Sequence, residues 1–324
     1  MLKNKRFSLI VLCFAMLLAL VSCQRPAKPR TYVADGQYLA YSIEGATKPE
    51  VTFVTVTIKN DELVDVDINT IQSNTLTNAE GSTTGYEFKA ESKKELGYAY
   101  HMHYRSYTGS LEDASTATEE GYKAWLKENN KLEWFEQAEL IEKAILANGV
   151  DSIQISAEGN FENVAGVTVT DHHYVALAKE AIANAKAGKK VAIATHEDDL
   201  IIATANVDKD GKLSNVLLDT IQGQFSEGAW SFKAQSKQEL GFGYHMHYRS
   251  YTSSLEDAST ATEEGYKTWL KENDKLEWVE QAALICEAWS ANNSLTPTDG
   301  KFPTVAGVTI SDNQYIEVLN GLLK

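Results

Sequence analysis

Apolar and polar residues alternate twice along this chain in a pattern that predicts β-hairpins. Val54, Val56 and Ile58 alternate with threonine and lysine, Asn60-Asp61-Glu62 turns the chain, and Val64, Val66 and Ile68 alternate with aspartate and asparagine. Further on, Ile202 to Val207 runs into Asp208-Lys209-Asp210-Gly211 and returns through Leu213 to Leu218. Both stretches read as hairpins with one buried and one solvated face. The period then changes from two to about 3.6. Thr116 with Glu119, and Thr260 with Glu263, have capping-box spacing ahead of a helical stretch that puts Tyr122, Trp125 and Leu126 on one face. Asn129-Asn130-Lys131 breaks it, and Trp134, Ala138, Ile141 and Ile145 mark a second amphipathic helix. Thr170-Asp171, and Ser311-Asp312 later, read as N-caps of a last helix, which in the first case runs through Tyr174, Leu177, Ala178, Ala181 and Ile182. Antiparallel sheet with helices packed on it predicts an α+β fold.

The pattern occurs twice because the chain is duplicated. Residues 101–123 (HMHYRSYTGSLEDASTATEEGYK) recur at 245–267 with Gly109 replaced by Ser253, and the likeness continues through Trp125/Trp269, Trp134/Trp278 and Gln137/Gln281. Val164-Ala165-Gly166-Val167-Thr168 is echoed by Val305-Ala306-Gly307-Val308-Thr309 after a slightly shorter loop. The hairpins at 51–69 and 201–220 have diverged while these blocks have not. Two tandem domains are expected, 35–187 and 188–324, each a small antiparallel sheet with packed helices.

Composition narrows the class of function. With 324 residues, 43% hydrophobic and 23% charged, the chain is ordinary for a globular protein, and a net charge of −15 disfavours nucleic acid and anionic lipid surfaces as partners. The amino terminus differs in kind. Met1 to Arg6 is basic, Phe7 to Val21 is a short apolar run, and Leu20-Val21-Ser22-Cys23 resembles the lipobox of bacterial lipoproteins. That resemblance implies removal of a signal peptide (1–22), lipidation of Cys23, and residues 23–34 as a tether holding the protein on the outer face of the cytoplasmic membrane. More than one acyl chain makes such an anchor stable. Cys13 would leave with the signal and Cys23 would carry lipid, so Cys286 stands alone, with Glu142 as its repeat partner.

Several residues could carry chemistry. Gly166-Val167-Thr168 and Gly307-Val308-Thr309 precede the last helix of each copy. There a helix N-terminus would attract phosphate, and glycine would let backbone approach a bulky group. Thr118 and Thr262 stand in a rival stretch that lacks the glycine. Met102 and Tyr104 (Met246 and Tyr248), with Tyr100, Tyr107, Trp125 and Trp134, read either as core or as walls for a flat aromatic ligand. His101 and His103, like His245 and His247, would share a face if extended, and offer an alternative metal pair that needs further ligands. His172 and His173 have Asn313 and Gln314 as counterparts, so they are not part of a duplicated mechanism, and His196 reads as solvated.

Asp35-Gly36-Gln37-Tyr38, the hairpin VTVTIKNDELVDVDI, the stretch KKELG…YHM…EWFEQA and the late Gly-X-Thr together resemble bacterial extracytosolic FMN-binding domains. Paired with the lipoprotein signal, they resemble the flavinylated lipoproteins of Gram-positive extracellular electron transfer. The resemblance implies that Thr168 and Thr309 are esterified through the phosphate of FMN by a flavin transferase, giving up to two covalent flavins per chain. It implies an electron carrier rather than an enzyme with its own substrate pocket. Electrons would come from a membrane quinol- or NADH-linked donor and pass to extracellular acceptors such as ferric iron. The motif departs from the family's D-x-x-S/T-G-A-T at three places: Val167/Val308 for alanine, Ala165/Ala306 for serine or threonine, and Glu162/Pro303 for aspartate. A metal- or ligand-binding surface lipoprotein using the His-Met-His blocks is the alternative.

Overall fold

The computed structural model describes residues 29–45 and 48–324. The signal sequence and the lipidation site at Cys23 lie outside the described residues. Among the described residues no helix is long and apolar enough to cross a membrane. Tyr32 to Lys324 form one compact unit containing both copies.

The fold is α+β. In the first copy β1 (Gly36–Glu44), β2 (Glu50–Lys59), β3 (Glu62–Thr77) and β4 (Thr83–Phe88) form a four-stranded antiparallel sheet in sequence order. Short helices α1 (Lys93–Leu96) and α2 (Tyr104–Thr108) follow, then α3 (Glu119–Glu128), α4 (Trp134–Asn148) and α5 (Tyr174–Ala187). The second copy repeats the order. Strands β5 (Lys189–His196), β6 (Asp199–Val207) and β7 (Leu213–Ile221) form one sheet, and β8 (Gly223–Ser226) pairs with β9 (Ala229–Phe232). The helices are then α6 (Lys237–Leu240), α7 (Tyr248–Ser253), α8 (Glu263–Glu272), α9 (Trp278–Ser290) and α10 (Tyr315–Gly321).

The β2–β3 turn closes at Asn60 and Asp61, both with positive φ (54° and 63°), the conformation that a two-residue hairpin loop requires. Asp35 fixes it by accepting from the Asn60 N–H at 2.6 Å. The alternation then puts Val54, Val56, Ile58, Val66 and Ile68 on one face, where they pack against Ile141 and Ile145 of α4 and Ala178 and Ala181 of α5. The equivalent core of the second copy joins Ile201, Ala203 and Leu218 to Ile285, Trp289 and Leu319.

The copies meet at a seam. Tyr41, Ile43, Val51 and Phe88 of the first pack with Val191, Leu200, Ile202 and Phe232 of the second. Strand register makes Tyr38, paired with Val56, the counterpart of Lys190, paired with Ala205. These two equivalent residues touch each other across the seam: the Lys190 ammonium lies 4.4 Å from the Tyr38 ring centre and donates to the carbonyls of Gln37 and Lys324. Burial pushes Lys190 down to about 8.

Two capping expectations are corrected. The N-caps of α3 and α8 are Thr118 and Thr262, which accept from the N–H of Gly121 and Gly265. Thr116 is instead spent in the preceding 3₁₀ turn, donating to the Asp113 carbonyl. The last helix begins at Tyr174, not after Thr170. His173 occupies its N-cap in the left-handed region, and Asp171 accepts from the Val175 N–H at 3.1 Å. Asp312 does the same for Ile316 in the second copy.

Candidate functional site

Each copy builds the same recess around a buried lysine. In the first, Ser92 and Glu95 form a capping box that starts α1, and Asn69 of β3 anchors it by donating to the Ser92 hydroxyl and accepting from the Lys94 N–H. The box places Lys93 at the first helical position, 6% exposed, with its ammonium 5.4 Å from the Tyr100 ring centre and 5.2 Å from that of Trp134. Both distances are within cation–π range. Glu50 of β2 sits 3.7 Å away and receives a hydrogen bond from Gln72. Burial pulls the Lys93 pKa below the ordinary lysine value, and Glu50 partly offsets it. In the second copy Ser236 and Glu239 form the capping box, and Lys237 stands 5.1 Å from Tyr244 and 5.3 Å from Trp278. Its pKa is lowered for the same reason, with Asp199 in the place of Glu50. Burial in turn raises the Asp199 pKa.

The opposite wall is fixed by two indole hydrogen bonds. The Trp134 N–H donates to the Tyr174 hydroxyl at 3.3 Å and the Trp278 N–H to Tyr315 at 3.1 Å, tying the second long helix of each copy to the last. In the first copy Lys93, Tyr100, Met102, Trp134, Thr168 and Tyr174 bound a cavity of about 320 Å³. That is at the small end of the range of about 300–1,000 Å³ that ligand sites occupy.

Thr168 is exposed at the lip of this recess, Thr309 is exposed at the matching position of the second copy, and one amide positions each. The Gln137 side-chain oxygen accepts from the Thr168 N–H at 2.6 Å, the Val169 N–H at 3.1 Å and the Thr168 hydroxyl at 3.1 Å. Gln281 binds Thr309 and Ile310 identically. The other end of each amide donates to a backbone carbonyl, Leu132 or Leu276, and approaches the sulfur of Met102 or Met246 at 3.6 Å. Behind the recess lies a fully buried carboxylate, Glu133, which accepts from the N–H groups of Met102 and Trp134 and from the Tyr122 hydroxyl. Glu277 repeats it with Met246, Trp278 and Tyr266. Desolvation and the adjoining carboxylate raise the Tyr122 and Tyr266 pKa values well above the ordinary phenol range, and each hydroxyl also accepts from the N–H of His103 or His247.

The structure thus brings together Thr168 with Met102, and Thr309 with Met246 through Gln281, but it does not bring in Tyr104 or Tyr248. These stack on His101 and His245 at 4.4 Å and belong to satellite aromatic clusters around Tyr122 and Tyr266. The extended geometry expected of the histidine pairs is not found. His101 and His245 end a 3₁₀ turn in the left-handed region, whereas His103 and His247 precede the next helix with a ring nitrogen 3.2 Å from the Leu132 or Leu276 carbonyl. Gly166 and Gly307 have φ of 87° and 85°, and a β-carbon on either would meet a leucine side chain at 3.0 Å or less, so the turn itself calls for glycine. Val167 and Val308 pack at the edges of the cores. The helix N-terminus that was to face Thr168 is occupied by Asp171, and the positive charge lining the recess belongs to Lys93. Sequence reading passed over Lys93 and Lys237. The signal for them was a serine-led capping box recurring at the same place in both copies.

Cys286 is buried in α9 and its thiol is pushed up to about 11 by desolvation. Its counterpart Glu142 accepts from the Ile68 N–H and pairs with Lys94.

No protein-family model and no curated protein matches the chain. A solution NMR structure of a protein from Clostridium thermocellum is similar over 47% of this chain and 91% of its own, at 21% identity and a TM-score of 0.26, a likeness too slight to bear on fold or function.

Proposed function

We propose that the protein is a lipid-anchored extracytosolic electron carrier that holds FMN at both recesses, joined through phosphoesters to Thr168 and Thr309. The observation that supports this reading is the duplication of one arrangement: an exposed threonine held by a glutamine amide, and a desolvated ammonium between two aromatic rings. The residues present fit the group. Esterifying the Thr168 oxygen removes only its own hydrogen bond to Gln137, while the two backbone N–H donors keep the loop in place. Tyr100, Trp134 and Tyr174 offer flat apolar surface for an isoalloxazine, and Lys93 offers positive charge for a phosphate or a reduced ring. Bound flavin supplies one- and two-electron chemistry, while the protein supplies position and electrostatics. On this reading Cys23 carries the lipid, a flavin transferase loads the threonines, and electrons pass from a membrane quinol- or NADH-linked donor to extracellular acceptors such as ferric iron. The acidic surface favours cationic acceptors.

The test is the visible spectrum and peptide masses of protein co-expressed with a flavin transferase. Yellow protein with FMN retained on peptides containing Thr168 and Thr309 is the expected result. Colourless protein with unmodified peptides overturns the proposal.

A further inference from the structure

We propose that the first copy alone holds a divalent transition-metal cation, bound by Glu44, Glu50 and His172 with His173 as a fourth ligand, at the edge of the Lys93 recess. The ligand atoms of Glu44, Glu50 and His172 all lie within 4.8 Å of one another. The Nδ1 of His172 is 3.9 Å from Glu44 Oε2, and the Nε2 of His173 is 3.4 Å from Glu44 Oε1. A tetrahedral ion about 2.0–2.1 Å from each donor needs donors about 3.4 Å apart, so Glu44, Glu50 and His172 need only side-chain rotations to converge, and His173, 3.4 Å from Glu44, must turn further to complete the set. Two carboxylates with two imidazoles suit zinc and its first-row neighbours better than magnesium or calcium, which take all-oxygen sites.

The surroundings are those of a ligand set. The Thr170 hydroxyl lies 3.2 Å from Nε2 of His172. With the hydroxyl accepting from Nε2–H, Nδ1 keeps its lone pair for the cation, the outer-sphere arrangement typical of metal-bound histidine. Lys93 and Gln72 engage only one oxygen of Glu50, Oε2, so the other can turn to the ion. The second copy keeps a carboxylate, Asp199, at the place of Glu50 and has changed the rest of the set. Register places His196, which pairs with Asp199, where Glu44 pairs with Glu50. Asn313 and Gln314 replace the two histidines, and the hydroxyl of Ser311, at the position of Thr170, accepts from Lys301. Because Glu50 also neutralises Lys93, a bound cation would distinguish two recesses that are otherwise alike. The inference stands whether or not either recess holds flavin.

The experiment is calorimetric titration of Zn²⁺ into the metal-free full chain in detergent. One saturable equivalent per chain is expected, weakened at least about tenfold by Glu44→Gln and by His172→Asn, and unchanged by His101→Ala with His103→Ala. The Asn and Gln side chains of Asn313 and Gln314 occupy the corresponding positions of the second copy, so His172→Asn and His173→Gln should fold. A reciprocal variant, His196→Glu with Asn313→His and Gln314→His, should gain a second equivalent. Absence of saturable binding overturns the proposal. So does an equivalent that survives Glu44→Gln with His172→Asn, or one lost with His101 and His103.

Discussion

The two copies agree closely where the recess is built and disagree behind it. Lys93 and Lys237, Trp134 and Trp278, Gln137 and Gln281, and Glu133 and Glu277 keep the same partners at nearly the same distances. Further along the same helix, Glu142 and Cys286 share only a hydrogen bond to the backbone of equivalent residues, Ile68 and Leu218. The first is a carboxylate shared between Ile68 and Lys94, the second an apolar thiol against Leu218. Packing alone does not require the first kind of agreement, since cores tolerate swaps that conserve volume. The retained set has polar groups with fixed hydrogen-bond roles, and a change in one strands its neighbours.

The sharpest way to break the comparison is at the threonines. Thr168→Val and Thr309→Val should each remove one flavin per chain, and the double variant should remove both, as read from absorbance per polypeptide. Next in size are Glu133→Ala and Glu277→Ala. Each strands three donors worth about 1–3 kcal/mol apiece, so each should cost at least about 3 kcal/mol in urea unfolding. Costs that differ by more than about 1 kcal/mol between the copies would show that the two networks are not equivalent. The deeper pair should behave differently. Glu142→Ala leaves the Ile68 N–H without its acceptor and should cost about 2 kcal/mol, whereas Cys286→Ala should cost about 1 kcal/mol. The Cys286 thiol should resist a disulfide reagent at pH 8 until the protein unfolds.

The smallest effect concerns pH. Lys190 has a folded pKa of about 8, below its unfolded value, so between about pH 8 and 10.5 the unfolded chain binds more protons. The strain of burying its charge is fully present below that window and relieved as pH rises through it. Wild type should therefore gain stability relative to Lys190→Met between pH 7.5 and 9.5. No change in that difference would place the ammonium in water.

Much of this was legible in the sequence because it is local. Hairpin alternation, the Asn60-Asp61 turn and the α4 stripe of Trp134, Ala138, Ile141 and Ile145 are set by neighbours within a few residues. What depends on distant partners was not. Lys93 reads as a solvated charge until β2 supplies Glu50 and α4 supplies Trp134. Tyr104 reads as a ligand wall until His101, turned into the left-handed region, stacks on it. Thr116 reads as the cap from its spacing to Glu119, but the 3₁₀ turn at Ala114–Thr116 takes its hydroxyl and leaves the role to Thr118. Strands β1 and β5 each form a hairpin with the strand that follows, but the β5–β6 loop, Glu197-Asp198, lacks the glycine or asparagine that marks a two-residue turn in sequence.

The seam has a consequence for how such a molecule can be taken apart. Val51, Leu200 and Ile202 are all but hidden, and each depends on residues from the other half for its cover. Severing the chain near Gly188 would therefore uncover a greasy face on either fragment, and the fragments would cling to each other or to strangers. A calorimetric scan of the intact chain should accordingly show a single endotherm: in this architecture doubling the module has not yielded a spare.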